Sequence, residues 1–266
     1  MQVSTNSLYI PLRIIAIVLW MLFLMVIYCF ARIFRQDHMA LVHNFHRGVC
    51  RIIGVRSTLS GEQSEQKSVL YVSNHVSYLD IFVLGFIRAY FIAKSEVASW
   101  PIFGPLARFQ NTLFFERKAG KSRSQLDVMK EHLQSGKSLT LFAEGTSTNG
   151  TEVKPFKSSL FEAANTKDAQ NRVAVQPITI VYTHYDGHLI DDQETRDNYA
   201  WYATMPFTAH FMNILSITKK VDAKVHFHTV CYLDEFASRK ECADYCQSVV
   251  AAKMASLLND RELNDS

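Results

Sequence analysis

Residues 71–85 read YVSNHVSYLDIFVLG, where an apolar strand pattern gives way to a second apolar run. His75 and Asp80 stand at this transition. Inside one regular helix, five steps of about 100° would separate their side chains by about 140°, so they can pair only if His75 precedes the helix. Ser77 is a good N-cap residue and would make Asp80 the third residue of a helix that starts after the histidine. The stretch therefore fits either a catalytic His–Asp pair or a capping carboxylate beside a loop histidine.

An uncharged, almost wholly apolar run lies near the N-terminus. The eighteen residues between Arg13 and Arg32 read IIAIVLWMLFLMVIYCFA, and a helix of that length is roughly 27 Å long, close to the thickness of a hydrocarbon core. A signal peptide would carry a shorter apolar region and a small-residue cleavage site, and a buried core helix would show a polar face. The run is longer than a signal-peptide apolar region, no such cleavage site follows it, and it shows no polar face. We therefore expect residues 1–37 to form a membrane anchor.

The charged residues and cysteines predict where the rest of the chain lies. Only Arg13 precedes the apolar run, whereas several arginines follow it: Arg32, Arg35, Arg47 and Arg51. By the positive-inside rule, the body of the protein faces the cytoplasm. The five cysteines form no C-x-x-C pair, which fits ordinary thiols in a reducing compartment. The net charge of +3 (28 basic minus 25 acidic residues) gives no indication of a nucleic-acid partner.

Beyond an amphipathic helix over residues 38–53, strand patterns alternate with helical ones. The strand candidates are VLYVS, AYFIA, SLTLFAE, VAVQPITIVY and KVHFHTVCYL. Helical patterns occupy SRSQLDVMKEHLQSG and the segment that opens with the capping-box sequence SRKE. We read STLSGEQSEQKS, between the amphipathic helix and the first strand, as a polar loop. The alternation predicts an α/β domain, with a mixed β-sheet flanked by helices behind an N-terminal membrane-inserted helix.

Three later segments carry residues suited to chemistry. Arg117 and Lys118 follow the apolar run TLFFE, where a guanidinium could bind phosphate or carboxylate; a solvated basic turn is the alternative. Glu144-Gly145-Thr146 directly follow a strand, and glycine there lets the backbone approach a ligand. Pro177 interrupts the strand VQPITI, which predicts an edge strand, a bulge or a plain kink.

Together these motifs carry a resemblance. N-H-x-x-x-x-D, F-x-x-R, E-G-T and a strand proline, in this order within residues 68–182, resemble the motifs of the glycerolipid acyltransferase family typified by 1-acylglycerol-3-phosphate O-acyltransferase. Residues 38–266 would then be the acyltransferase domain, facing the cytoplasm, and residues 1–37 would anchor it in a bacterial inner membrane. The resemblance implies that His75 is the general base for a lysolipid hydroxyl and that Asp80 orients it. It also implies a substrate-binding set of Arg117, Glu144, Gly145, Thr146 and Pro177.

The chain departs from the commonest form of the family after E-G-T. Many members have arginine at the next position, whereas this chain has Ser147. The expected product is phosphatidic acid from 1-acyl-sn-glycerol-3-phosphate, with Lys154 or Lys157 replacing the arginine. The form E-G-T-S, followed by PFKSSLF, is similar to a branch that includes lyso-ornithine-lipid acyltransferases, so a lyso-ornithine lipid is the alternative acceptor.

The expected chemistry is direct transfer from an acyl thioester. The donor would be acyl-ACP or acyl-CoA, with no other cofactor and no metal, and the partners would be membrane lipids and the thioester carrier. An acyl-serine route lacks a G-x-S-x-G elbow. A zinc hydrolase built on His226 and His228 lacks a third ligand nearby in sequence. A non-catalytic lipid-binding protein with this fold is the remaining rival.

Overall fold

The computed structural model describes residues 2–33, 39–100, 103–116, 121–166 and 172–259. Strands and helices alternate within these ranges as the sequence predicts. The helices are α1 (Tyr9–Ile33), α2 (Met39–Ile53), α3 (Leu79–Val83), α4 (Phe103–Phe109), α5 (Ser122–Gln134), α6 (Ser158–Phe161), α7 (Gln193–Asp197), α8 (Phe207–Ser216) and α9 (Arg239–Leu258).

The strands form one mixed sheet. They are β1 (Val55–Ser60), β2 (Val69–Ser73), β3 (Ala89–Lys94), β4 (Leu113–Phe115), β5 (Ser138–Phe142), β6 (Ala174–Tyr185), β7 (His188–Leu189), β8 (Val221–Phe227) and β9 (Cys231–Tyr232). The order across the sheet is β1-β8-β6-β2-β5-β3-β4, and β7 and β9 also pair with β6. Strand β2 is parallel to both of its neighbours, β5 and β6, whereas β6 is antiparallel to β8. The predicted mixed α/β fold is confirmed.

Helices cover both faces of the sheet. One core layer joins the sheet to α2, α3 and α8 through residues such as Val49, Leu79 and Ile214. The other joins it to α5 and α9 through Met129 and Val250. All residues of β6 are buried, as expected for a central strand that is covered on both faces.

Two local predictions were wrong. Residues 57–60 belong to β1, which pairs in parallel with β8, rather than to a polar loop, because pairing with a distant strand overrides their polar character. Ser77 is not the N-cap of α3: the N-cap is Tyr78, without a side-chain cap, and Ser77 Oγ has no hydrogen-bond partner among the described residues.

Helix α1 has the length and composition of a membrane-crossing helix. The candidate span is Tyr9–Phe30, and only 6% of its apolar window is buried within the protein. The side chains on its outer face are large and apolar: Leu12, Ile15, Leu19, Leu22, Phe23, Val26 and Phe30. An exposed apolar face of this size favours contact with lipid over a core position.

The opposite face of α1 contacts the protein along its length. Near its start, Arg13 is buried and its Nη1 donates to the carbonyl oxygens of Ile214, Leu215 and Ile217 at the end of α8. Near its end, the Tyr28 ring meets the Phe109 ring of α4 edge-on, 4.9 Å between centroids. Both ends of the helix therefore rest on the same body.

Candidate active site

The loop that carries His75 leaves the sheet at the end of β2. Asn74 holds the loop there, because its side-chain amide makes the two hydrogen bonds to β6 that a paired strand residue would make through its backbone. Asn74 Nδ2 donates to the Ile180 carbonyl at 2.9 Å, and its Oδ1 accepts from the Ile180 amide at 2.8 Å. The histidine therefore starts from a fixed point beside the central strand.

His75 and Asp80 form the predicted pair. His75 Nδ1 lies 2.8 Å from Asp80 Oδ2, and the same oxygen accepts from the amides of Val76 at 2.7 Å and Ser77 at 3.0 Å. Since an ionised carboxylate can only accept, Nδ1 carries the ring proton and Nε2 carries the lone pair. The structure thus brings together a proton acceptor and its orienting carboxylate, with the histidine ahead of the helix.

Asp80 is fully buried, with 0% of its surface exposed, and its second oxygen is also satisfied. Tyr182 donates to Asp80 Oδ1 at 2.9 Å from β6. Burial, together with the nearby Asp80, raises the pKa of Tyr182 well above its ordinary value, so the phenol stays protonated and remains a donor. The sequence reasoning missed Tyr182, since nothing in its local pattern marks a residue 102 positions away as a partner of Asp80.

The imidazole ring is held from the side as well. The Phe142 ring, at the end of β5, stacks on His75 at 3.9 Å between centroids and 17° between planes. The His75 side chain keeps 18% of its surface exposed. One edge of the ring is therefore open to a substrate while its orientation is fixed.

Glu144 joins two loops at the site, the one that carries His75 and the one that carries Lys154, by hydrogen bonds to both. Its Oε1 accepts from the His75 amide at 2.6 Å, and its Oε2 accepts from the Lys154 amide at 2.8 Å. The Thr148 amide also donates to the His75 carbonyl at 2.9 Å. Burial raises the pKa of Glu144 to about 7, although these two amides and the Lys154 charge lower it and Asp80 raises it further. Both oxygens are occupied by backbone amides, so Glu144 shapes the loop that surrounds His75.

Gly145 and Thr146 form the turn after Glu144. Gly145 adopts φ 68°, and a Cβ built on it would lie 2.4 Å from Lys157 Nζ, so the ammonium of Lys157 rests on this turn. Lys157 is fixed at its backbone, where its amide donates to the Ala143 carbonyl at 2.9 Å. Thr146 is exposed. The turn therefore offers a glycine backbone, a hydroxyl and a cation near the His75 loop.

Pro177 lies inside the central strand β6, opposite Val72 of β2. The edge-strand prediction is wrong. Pro177 is tolerated because β6 changes its antiparallel partner here, from β9 at Val175 to β8 at Ile178. The His228 amide donates to the Pro177 carbonyl at 3.0 Å, and the missing proline N–H faces the same break in the ladder.

Arg117 and Lys118 lie outside the described residues, so their predicted role stays a prediction. Among the other predicted site residues, the structure brings His75, Asp80, Glu144 and Gly145 to one end of β2 and β5, where the carboxyl ends of these parallel strands meet.

One group of side chains could hold a metal ion. The sulfur atoms of Cys231, Cys242 and Cys246 all lie within 4.8 Å of one another; we call them the three-cysteine cluster. The sequence analysis treated them as separate thiols, because Cys231 approaches the other two only when β9 packs on α9. All three belong to a hydrophobic core layer, and Cys231 Sγ lies 4.0 Å from Cys246 Sγ and 3.6 Å from the Val175 carbonyl.

The histidines considered for zinc have other partners. His228 Nε2 lies 2.8 Å from Thr179 Oγ1, and His226 Nδ1 lies 2.9 Å from Ser60 Oγ.

Comparison with known proteins identifies the family. Residues 56–181 match the family model described as acyltransferase. The lyso-ornithine lipid O-acyltransferase of Rhodobacter capsulatus is 36% identical over 77% of this chain and 74% of its own length, and that of Brucella abortus is 36% identical over 84% of each. The 1-acyl-sn-glycerol-3-phosphate acyltransferase of Neisseria gonorrhoeae is 30% identical over 70% of this chain and 69% of its own.

A solved structure shows the same fold. The 1-acyl-sn-glycerophosphate acyltransferase of Thermotoga maritima superposes with a TM-score of 0.61 over 92% of this chain and 97% of its own, at 20% identity. Sequence and fold agree, and the matched segment contains the His75–Asp80 pair. The chain belongs to the acyltransferase family.

Proposed function

We propose that this protein transfers a fatty acyl group from an acyl thioester to the hydroxyl of a lysolipid, and that the acceptor is a lyso-ornithine lipid. The His75–Asp80 pair carries the catalytic part of the proposal. Relatives named for that activity, among them the two at 36% identity, support the choice of acceptor over 1-acyl-sn-glycerol-3-phosphate.

The chemistry follows from the ring nitrogens. His75 Nε2 takes the proton of the lysolipid hydroxyl while its oxygen attacks the thioester carbonyl, so a C–O bond forms as the O–H bond breaks. Collapse of the tetrahedral intermediate breaks the C–S bond, and the departing thiolate takes the proton back from His75. Asp80 stabilises the imidazolium between these steps, because it holds Nδ1–H at 2.8 Å. The donor would be acyl-ACP or acyl-CoA.

The head-group side of the proposal rests on Lys157. A phosphomonoester suits the forked guanidinium that this chain lacks after E-G-T, whereas the single carboxylate of an ornithine head group can pair with one ammonium. Lys157 Nζ lies against Gly145 of that turn, and among the described residues its ammonium has no carboxylate partner. Lys157 thus fits the cation that the missing arginine would supply.

Helix α1 suggests how the enzyme meets its substrate. The helix contacts the body of the protein near both of its ends, through Arg13 and Tyr28. Its outer apolar face is exposed and is not covered by any of the described residues. We expect this face to enter the membrane from the cytoplasmic side, with the body in the cytoplasm where thioester donors are found. Protease protection in inverted and right-side-out vesicles measures this orientation; a body that is cleaved only from the periplasmic side contradicts it.

The decisive experiment is product analysis by mass spectrometry. Wild-type protein and His75→Ala, purified in detergent, receive an acyl thioester with either lyso-ornithine lipid or 1-acyl-sn-glycerol-3-phosphate. We expect ornithine lipid from the wild type and a loss of about 10² to 10⁴-fold in the variant. Phosphatidic acid as the main product would establish the other acceptor. Equal rates for wild type and variant would remove His75 as the general base, and no product from either lipid would favour a non-catalytic lipid-binding protein.

Lys157→Ala tests the head-group assignment, with Lys154→Ala on the same loop as its matched control. Loss of one charge-assisted contact should raise KM for lyso-ornithine lipid about tenfold with little change in kcat. An effect confined to Lys154→Ala would move the cation to that residue.

A further inference from the structure

Tyr182 makes a buried hydrogen bond to Asp80 that the pairing of His75 with Asp80 does not require. The two oxygens of Asp80 are used unequally: Oδ2 accepts from three donors, whereas Oδ1 accepts only from Tyr182 among the described residues. Without that donor, the buried carboxylate could turn partly about its Cβ–Cγ bond, which would move Oδ2 out of line with the imidazole.

We propose that Tyr182 is a positioning residue of the acyl-transfer site, which acts through Asp80 by fixing the rotation of its carboxylate and by drawing charge away from the oxygen that faces His75. This inference rests on the proposed function of His75 as the general base. Tyr182 touches neither the imidazole nor the exposed edge of the site, so it is not itself a catalytic residue.

The position of Tyr182 in the fold supports this role. It lies on β6, the strand to which Asn74 also ties the His75 loop, through Ile180. A single strand therefore fixes both the start of the loop and the far side of the carboxylate. The phenol is buried, and the site gains a neutral donor that stays protonated over the whole working pH range.

Few other groups can titrate around this contact. Among the described residues, the charged or titratable groups around Tyr182 are Asp80 on α3, Cys50 on α2, Tyr78 just before α3 and the stacked Tyr199. Arg196 of α7 donates from Nη1 to the backbone carbonyl of Tyr182 at 3.4 Å. Glu144, on the loop after β5, senses the Asp80 charge. Of these, only Asp80 hydrogen-bonds to the Tyr182 phenol, so a change in the pH profile on loss of the phenol reports on the carboxylate.

The test is Tyr182→Phe, with Tyr199→Phe as the matched control. The Tyr199 ring stacks beside Tyr182 at 6.1 Å, and its buried hydroxyl has no hydrogen-bond partner among the described residues. Both variants lose one buried hydroxyl from neighbouring rings, but only one of those hydroxyls touches Asp80. We expect Tyr182→Phe to lower kcat roughly tenfold with KM unchanged, and Tyr199→Phe to retain the wild-type rate.

The pH–rate profile separates positioning from packing. Without the phenol, Asp80 Oδ2 keeps more negative charge, the imidazolium is more stable, and the acid limb of the profile moves to higher pH. Fluorotyrosine at position 182, a stronger donor that keeps the shape, should move the limb the opposite way. Wild-type kcat and an unmoved acid limb in Tyr182→Phe would overturn the proposal.

A second readout needs no activity. Nitrogen-15 spectra of histidine-labelled protein report which ring nitrogen of His75 carries the proton. We expect a single Nδ1–H form in the wild type and in Tyr199→Phe, and a mixture in Tyr182→Phe. If the wild type transfers no acyl group, the proposed function fails, while these spectra still decide the role of Tyr182: identical spectra in all three proteins refute it.

Discussion

Replacing Asp80 by asparagine removes one charge from the site while it preserves the shape. The amide oxygen can accept from the donors that now meet Oδ2, namely His75 Nδ1 and the amides of Val76 and Ser77. The amide nitrogen can donate to the Tyr182 oxygen, since a hydroxyl also accepts. Asp80→Asn therefore isolates the electrostatic part of the pair.

The size of the effect follows from the 2.8 Å contact between His75 Nδ1 and Asp80 Oδ2. This places the centres of the two charges about 4 Å apart, and their attraction at an effective dielectric constant of about 20 is about 4 kcal/mol. The attraction exists only while His75 is protonated, that is, during transfer. Losing it should therefore lower kcat by roughly 10³-fold and leave KM nearly unchanged.

The assay is steady-state release of the free thiol from the acyl thioester, with the acceptor lipid saturating. Asp192→Asn is the control, because Asp192 caps α7 by accepting from the Thr195 amide at 2.7 Å and asparagine caps helices about as well. The control should retain the wild-type rate. A kcat for Asp80→Asn within tenfold of the wild type would refute the orienting role of Asp80.

Three further changes test the surroundings of the pair. The pKa of Glu144 is raised to about 7 from an ordinary 4.5, so between these pH values the folded state holds a proton that the unfolded state releases. The free energy of unfolding should therefore fall as pH rises from about 4.5 to 7 and stay level above pH 7. Glu144→Gln should remove this slope, measured by thermal unfolding at a series of pH values. Gly145→Ala should raise KM for the acceptor by displacing Lys157 Nζ, whereas Gly187→Ala, with a similar positive φ but open space, should cost only about 1 kcal/mol of unfolding free energy, measured by denaturant titration. Exhaustive chelation should leave acyl transfer unchanged, and loss of activity that zinc restores would assign a role to the three-cysteine cluster.

Much of the fold could be predicted because its signals are local. The strand VLYVS and the helix over residues 122–134 follow from side-chain period and from the residues that start and stop them. The same holds for the His75–Asp80 pair, whose spacing already required the histidine to lie outside the helix. The residues that predict each of these features lie close together in the sequence.

The rest depends on contacts between distant segments. Tyr182 reaches Asp80 only because β6 lies next to β2, and Pro177 is acceptable in a central strand only because two other strands meet beside it. The polar strand β1 forms because β8 offers a free edge. No window of sequence contains these partners, so neither the order of the sheet nor the second contact of the carboxylate could be read from the chain.

The contact between Arg13 and the end of α8 has a practical consequence for anyone who wishes to produce a soluble form of this enzyme. Cutting off the first 37 residues would remove a cation from the C-terminal carbonyls of α8 and uncover the apolar core that Ile10 and Ile17 now cover. The lipid-facing segment is also part of the scaffold. Exchanging its outward residues, such as Leu12, Leu19 and Phe23, for polar ones would improve solubility and keep the inward face that the rest of the protein requires.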